Sequence, residues 1–572
     1  MAEATISAGI ADSTGNRDAR AMSDGVRSPG FHVLAGLLLT LIVVIQGGAV
    51  LRTTSGTWDE TVFLATALRA YRDADILPFV AQGAAPLPVL ICYWLPALQS
   101  PSPVLEASSY QQLIWLARWS AIILIGVPLV LAVYGWAIRL YKRHFPAFMA
   151  AAIVALSPTI IAHASLATTD TCFVLTTLIA LGALAVYVPR PSGWRVAVLA
   201  VTVGLAFAAK YTAVVLVPTV FLAIVSWPRQ EEGIVPRVVR AVGVCAVVLL
   251  VSFMVAWGFH RFVFVRADVG AFLSSTYSVP APIAGLLTQF EHNRAGHPAF
   301  LWGKSSSLGW WYYMPVALLL KSTPTELCVF GLAVCAFVTG WRTDTASFRV
   351  LRMAFFMSAL ALLFSYINIG VRYALLLYPL AVLGASRFLS GGLRTLRGQA
   401  AVALLVFQAA SAVLIAPHYL SYFNWLSGGP ANGYRYLADS NVDWGQDLPA
   451  LKRTLKGVGA ERPLVAYFGT APLEAYGIDA LKWSCNPAVE SARPDWIAIS
   501  ATLLDGAYVQ DDPFAKFRRI QPSARAAYSI LLYSMDRAEV RGALAAASTT
   551  CHPWRQSPGD TGDSRPAGLS RS

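Results

Sequence analysis

The chain has 572 residues, 56% of them hydrophobic and 13% charged, with a mean hydropathy of +0.56. Soluble domains carry about 25% charged residues, so this composition excludes a soluble globular protein and makes the lipid bilayer the first partner. The formal charge of +13 does not point to nucleic acid, because Lys and Arg come two or three at a time between apolar runs, as the positive-inside rule expects of cytoplasmic loops.

Residues 1–30 are polar, with Arg17, Arg20 and Arg27 set among Asp12, Asp18 and Asp24, and read as a disordered cytoplasmic tail. The apolar run Phe31–Leu51 is too long for a signal-peptide core and lacks a small-residue cleavage site behind it, so it reads as a retained helix. A crossing helix needs about 20 apolar residues, with a lower limit near 17. On that basis the expected spans are Phe31–Leu51, Trp119–Ala137, Phe145–Ala162, Thr171–Val188, Val196–Ala209, Tyr211–Trp227, Ala241–Phe259, Pro324–Trp341, Met353–Ile369, Gly370–Leu389 and Ala400–Ala416. The run Val196–Trp227 is broken only by Lys210. As one helix it would be about 48 Å long, too long for a hydrocarbon core of about 30 Å, so it is split at Lys210-Tyr211.

This division places the basic loops on one side. Arg139–His144, Pro189–Arg195, Pro228–Arg240, Arg342–Arg352 and Arg387–Gly398 each carry two or more Lys or Arg, whereas the short links opposite carry at most one. The expected topology is N-terminus inside and C-terminus outside. Residues 31–417 form the transmembrane domain, with long outer loops at 52–118 and 260–313. The proline-broken piece Ala85–Ala97 is expected to lie in the interface or re-enter. Residues 418–555 are polar enough for a small α/β domain outside the membrane, with strands at Pro463–Phe468, Asp495–Ser500 and Tyr528–Ser534 and helices at Leu448–Leu455 and Asp536–Ala547. Residues 556–572 read as a disordered tail. Cys172, Cys245, Cys328 and Cys335 fall inside apolar runs and are expected to be buried. Cys485 and Cys551 could pair in an oxidising compartment.

The first outer loop opens with Gly56–Glu60, GTWDE, so Asp59 and Glu60 stand just past a membrane helix. Locally, Trp58 as an interfacial anchor with two acids ending the span is an equal reading. The topology adds weight to the functional one. It puts Asp170, Lys210, Lys321 and Arg372 at outer ends of spans, and His260, Arg261 and Arg266 after another. Charges at a membrane edge are functional candidates. Cations there would hold a phosphate, and a carboxylate would take the proton of an acceptor hydroxyl. Glu291, His292 and His297 lack a recognised metal-ligand spacing. A divalent metal is not indicated, and no phosphate-binding loop, dinucleotide fingerprint or nucleophile elbow is found. No cofactor is expected.

Several stretches are similar to glycosyltransferase family 39, which holds protein O-mannosyltransferases and the aminoarabinose transferase acting on lipid A. They are the acidic pair, ATTD at Ala167–Asp170, GLAFAAKYTA at Gly204–Ala213, VRYALLLYP at Val371–Pro379, and YFNWLSGGPANGYRYLADSNVDWGQDL at Tyr422–Leu448. The likeness is nearest to bacterial phospholipid-carrier-dependent members and runs from Phe31 over nearly the whole chain. It implies a polytopic α-helical C-type glycosyltransferase fold of about eleven helices in the bacterial cytoplasmic membrane. The implied activity is transfer of a sugar from a polyprenyl-phosphate carrier to a glycolipid, polysaccharide or protein hydroxyl at the outer face. By that likeness Asp59, Glu60 and Asp170 are the catalytic acids. Lys210 and Arg372 meet the carrier phosphate, and Lys321 and Arg261 are further candidates for it. The family often has His two residues before the Arg-Tyr pair, where this chain has Gly370. Asn441, Asp443 and Trp444 could line a sugar site or stabilise a turn. A secondary transporter or a flippase of lipid-linked sugars is the alternative, although such proteins place charged sites near the midplane within repeated halves.

Overall fold

The computed structural model describes residues 29–100, 105–227, 233–270, 272–274, 277–340, 345–389, 394–484, 493–509, 511–550 and 570–571. The expected N-terminal tail, most of the C-terminal tail, Cys485 and Cys551 lie outside the described residues.

Each expected span falls largely on helix. Among the described residues, six helices are long and apolar enough to cross a membrane by themselves. They are α1 (Pro29–Thr53), α4 (Ala107–Tyr141), α7 (Thr169–Tyr187), α10 (Ile234–Phe259), α14 (Ala346–Leu363) and α16 (Leu396–Ile415). A bent pair, α5 (His144–Ala155) and α6 (Pro158–Ala164), set at 66°, is long and apolar enough only when its two parts are taken as one span. Ser157 and Pro158 cause the bend. The proline occupies the first turn of a new helix, and the Ser157 hydroxyl accepts from the Ile160 amide at 3.2 Å. The shorter apolar helices are α3 (Pro86–Gln99), α8 (Gly193–Ala209), α9 (Tyr211–Val225), α13 (Pro324–Thr339) and α15 (Leu377–Leu389). Between α1 and α3 lies α2 (Trp58–Arg72). Outside this set are α11 (Ala281–Ala295) and α12 (Tyr313–Lys321).

Several boundaries differ from expectation, three of them for a local reason; the helices expected from Ala241 and Met353 also begin earlier, at Ile234 and Ala346. Helix α4 runs on for 35 residues through a single wide turn at Ile122–Gly126, so the span expected at Trp119 begins at Ala107. The span expected to end at Ile369 ends at Leu363, because the Tyr366 amide leaves the helix to bond the Asn293 side chain at 3.1 Å. The span expected from Gly370 starts at Leu377, after a tight turn at Val371–Ala374. Helix packing is close where small residues allow it. A Cβ on Gly204 of α8 would meet Val255 of α10 at 2.7 Å, and the Ser252 hydroxyl of α10 donates to Ala200 O at 3.1 Å. Cys328 and Cys335 depart from the expected burial: both lie exposed on α13, two turns apart along its outward face.

The five-stranded sheet has strands β5 (Pro463–Ala466), β6 (Leu481–Lys482), β7 (Trp496–Ser500), β8 (Ala524–Ala526) and β9 (Ile530–Ser534), while β1 (Phe264–Arg266) pairs with β2 (Ser278–Pro280) and with residues 570–571, and β3 (Ala299–Leu301) pairs with β4 (Lys304–Ser306). The order is β6-β5-β7-β9-β8, with β5 parallel to both neighbours and β9 antiparallel to both of its own. Strand β5 and residues 497–500 of β7 are wholly buried, which is why they read as unbroken apolar runs. Edge strands β6 and β8 carry no such run and were not expected. Helices α17 (Leu448–Gly457) and α18 (Ala538–Thr550) lie where the apolar periodicity placed helices. Residues 418–447, grouped by composition with the outer domain, run as short turns and bond back to the helical part.

Candidate active site

The acidic pair opens α2. Thr57 caps the helix, and Glu60, three residues on, accepts from the Thr57 amide and hydroxyl, both at 2.9 Å. Arg118 of α4 then grips Glu60 through two parallel bonds, Nε–Oε1 at 2.8 Å and Nη2–Oε2 at 2.7 Å. The Ala167 amide adds a bond to Oε1 at 2.9 Å. Arg118 spends its remaining donors on the Thr54 hydroxyl at 2.8 Å and Ser55 O at 2.6 Å. Both side chains are buried. Burial raises the Glu60 carboxyl, but Arg118 and the backbone bonds outweigh it and hold the group below its ordinary value. Glu60, expected among the catalytic acids, is thus a saturated anchor of the first outer loop. Close packing reinforces this: a Cβ on Gly56 would meet the Tyr110 hydroxyl at 2.1 Å.

Asp59 faces the other way. Its Oδ2 accepts from Arg372 Nη1 at 2.7 Å, and its side chain keeps 27% of its exposure. Arg372 sits in the tight turn ahead of α15, its guanidinium 4.2 Å from the centre of the Trp444 ring. The same Nη1 lies 3.8 Å from Asp170 Oδ2. Asp170, in the first turn of α7, bonds Lys210 through Oδ1 at 2.5 Å. Lys210 occupies the extended break between α8 and α9, its ammonium 4.5 Å from the Tyr373 ring. Arg372 Nε and Asp170 Oδ2 make no hydrogen bond among the described residues. Four residues distant in sequence therefore form one alternating row, Asp59–Arg372–Asp170–Lys210, at places where helices start or break. Backbone irregularity of this kind is tolerated at membrane depth where it is enclosed in protein or faces a cavity.

Beside the row lies a groove that is partly open to the surroundings. Lys210, Arg372 and Tyr373 stand in its wall. Phe173, Tyr211, Leu286, Phe290, Phe364 and Leu376 give it a mainly apolar surface. Cations on an otherwise apolar groove match an anion that carries an apolar tail.

The remaining expected site residues lie elsewhere. Lys321 is buried at the end of α12 and donates to Leu420 O at 2.7 Å and Asn441 O at 2.5 Å, over the Phe423 ring. It supports the 418–447 segment and does not line the groove. Arg261 is exposed after α10 and donates to Ala70 O at 2.9 Å, away from the row. Asn441, Asp443 and Trp444 are 0%, 0% and 2% exposed, so none presents a free face to a sugar. Asp443 accepts from the Thr502 and Gly445 amides, and burial pushes its carboxyl up to about 8.

Sequence reasoning missed several neighbours. Asp439, at φ +53, accepts from the Tyr508 hydroxyl at 2.7 Å, and burial raises its carboxyl against the pull of Arg372. The His292 and His297 rings lie 5.2 Å apart, and His297 stands 5.7 Å from Tyr508. Burial lowers both histidines, His297 to about 3, which keeps them neutral. Glu291 turns to Arg294 instead, at 2.7 Å. Among the described residues, no three His, Cys, Asp or Glu side chains converge as metal ligands would. Arg118 could have been suspected from the sequence only as a lone Arg within an apolar stretch.

With this geometry in place, the chain was compared with known proteins. Residues 110–257 match the family described as dolichyl-phosphate-mannose-protein mannosyltransferase. It runs from α4 to α10 and contains Asp170 and Lys210. No curated protein matches in sequence. Among solved structures, ArnT from Cupriavidus metallidurans bound to undecaprenyl phosphate is similar at 11% identity, covering 88% of this chain and 98% of that one, with a TM-score of 0.49. Its apo state gives 14% identity, 91% and 99% coverage and 0.45. The oligosaccharyltransferase of Archaeoglobus fulgidus, tethered to an acceptor peptide, gives 12% identity, 83% and 71% coverage and 0.45.

Proposed function

We propose that this chain, with its mannosyltransferase-type segment at residues 110–257, is a membrane glycosyltransferase. It takes a sugar from a polyprenyl-phosphate carrier and passes it to an acceptor at the outer face of a bacterial cytoplasmic membrane. The observation that carries this reading is the row Asp59–Arg372–Asp170–Lys210 beside an apolar groove. The groove takes the first prenyl units, and Lys210 and Arg372 take the phosphate.

The chemistry follows from those placements. The acceptor oxygen or nitrogen attacks the anomeric carbon as the bond from that carbon to the phosphate oxygen breaks, through an oxocarbenium-like state. The carrier leaves as a phosphate monoester, and its growing charge needs fixed cations more than a general acid. Asp170 holds both cations in place. Asp59 receives the acceptor's proton. Arg372 is bonded to Asp59; an arriving phosphate competes for that guanidinium and frees the carboxylate. Donor binding therefore precedes activation of the base, and one-step displacement inverts the anomeric centre. The distribution of basic loops supports an N-terminus inside and the sheet region outside. The acceptor is a glycolipid, a polysaccharide or a protein hydroxyl.

The test is transfer of radiolabelled sugar from a panel of polyprenyl-phosphate donors by purified protein in liposomes, with Asp59→Asn beside it. Label reaching an acceptor or water in wild type and not in the variant is the expected result. Donor lipid crossing the bilayer, with neither transfer nor hydrolysis from any donor, would overturn it in favour of a flippase.

A further inference from the structure

The nine residues Asp439–Asp447 face neither solvent nor groove, and nothing in the proposed chemistry uses them. Their bonds run in two directions. Toward Arg372, the Ser440 hydroxyl donates to Ile369 O at 2.9 Å and the Asn441 Oδ1 accepts from the Val371 amide at 3.0 Å. These two bonds bracket Gly370, where a Cβ would lie 2.1 Å from the Ser440 hydroxyl. The space a side chain at 370 would need is filled by Ser440. Beneath the guanidinium lies the Trp444 ring. Toward Asp59, Trp444 O accepts from the Trp58 amide at 2.9 Å and Gln446 O from the Ser55 amide at 2.7 Å. The Ser55 hydroxyl donates to Gly445 O at 2.8 Å.

The segment is itself held rigid. Asn441 uses its amide group on the Tyr313 hydroxyl at 2.9 Å and Ala438 O at 3.0 Å, which with the Val371 bond commits its oxygen and both of its amide hydrogens. Lys321 fixes its carbonyl. Gln446 closes the turn with bonds to the Trp444 amide at 2.7 Å and Val442 O at 2.9 Å. A Cβ on Gly445, at φ +85, would lie 2.8 Å from the Tyr467 hydroxyl, so the turn sits flush against the residues following β5.

We infer that residues 439–447 are a clamp that sets the distance and angle between Asp59 and Arg372, with Trp444 and Asn441 as positioning residues that never touch substrate. The inference deepens the glycosyltransferase reading and rests on it for its kinetic arm. Asp59 and Arg372 come from elements 313 residues apart, and no single helix carries both. One buried turn bonded to the approaches of both is the shortest path by which their geometry can be held. A displacement of about 1 Å in such a site costs about a hundredfold in rate. A desolvated guanidinium–indole contact is worth about thirtyfold.

The test compares Trp444→Leu, Trp444→Phe and Asn441→Ala in the full-length protein in lipid nanodiscs. Trp444→Leu is expected to lower kcat about thirtyfold with KM for the donor within about threefold. Trp444→Phe, which restores a π-face, is expected to recover to within about threefold of wild type. Equal activity of the Leu and Phe variants would overturn the role of Trp444. Amide hydrogen exchange reads the clamp without any activity. Asn441→Ala should raise exchange across residues 369–373 at least tenfold and weaken binding of a long-chain polyprenyl monophosphate. Unchanged exchange there would overturn the clamp even if transfer is observed. Raised exchange in a protein that transfers no sugar would keep the clamp and remove the glycosyltransferase reading instead.

Discussion

Two arginine–carboxylate pairs start from neighbouring residues and end in opposite conditions. Glu60 and Arg118 are fully buried, bonded through two parallel contacts, and surrounded by backbone groups that satisfy what is left. Asp59 and Arg372 meet through a single nitrogen, with Asp59 partly exposed and Arg372 Nε still lacking a hydrogen bond among the described residues. A saturated pair can do nothing but hold. An unsaturated pair beside a groove can trade its partner for a substrate. Charge type is the same in both and the two acids are adjacent in sequence, so hydrogen-bond completeness is what tells the two pairs apart.

That contrast can be broken by experiment. Asp59→Asn should cost about a thousandfold in transfer, within the range of lost base catalysis, and leave thermal unfolding almost unmoved. A variant that transfers normally would remove Asp59 from the reaction. Arg118→Met should do the reverse, destabilising the protein by about 3–5 kcal/mol because it strands a buried carboxylate. Detergent-resistant folded yield and unfolding midpoint would register it, and an unchanged midpoint would show that the saturated pair is not an anchor. Lys210→Met should raise KM for the donor about tenfold, with a smaller effect on kcat, since a point charge on the phosphate is lost and Arg372 remains. If KM is unmoved, the carrier phosphate lies elsewhere.

The smallest effect concerns Asp443, whose carboxyl burial raises to about 8 from an ordinary value near 4. A group raised on folding contributes stability in full below about pH 4 and loses it as pH climbs through about 8. Asp443→Asn fixes the neutral form. Its unfolding midpoint should match wild type near pH 4, exceed it increasingly up to about pH 8, and gain nothing further toward pH 9. A constant difference across that range would show that Asp443 does not titrate there.

Much of the architecture was legible because a bilayer leaves few options. Runs such as Phe31–Leu51 and Ala400–Ala416 have no alternative to helix. Strands β5, β7 and β9 announced themselves by short apolar runs between turns. The charged row was legible as a set of edge residues, since topology put Asp59, Asp170, Lys210 and Arg372 on one side. Which of those charges meet could not be read, because meeting depends on side-chain direction. Lys321 shares the edge position of Lys210 yet turns inward to carbonyls. Arg261 is equally basic, yet it bonds Ala70 O. Asp59 and Glu60 differ by one position on a helix, which rotates them about 100° apart. From sequence, Asn441, Asp443 and Trp444 read equally as sugar contacts or as supports of a turn. The burial of residues 439–447 could not be seen from sequence because several of their polar groups meet partners far along the chain, among them Ser55, Trp58, Val371 and Thr502.

The turn at 439–447 also has a consequence for biosynthesis. Asp59 leaves the ribosome early and Arg372 much later, but the surface that brings them into line comes later still, after the last membrane helix. Throughout translation and insertion the two halves of the site exist without their common support. A nascent chain stalled before residue 439 would hold every charged residue of the row and yet lack a formed centre. On the function proposed above, competence thus arrives as a late event, once the segment after the last membrane helix has folded.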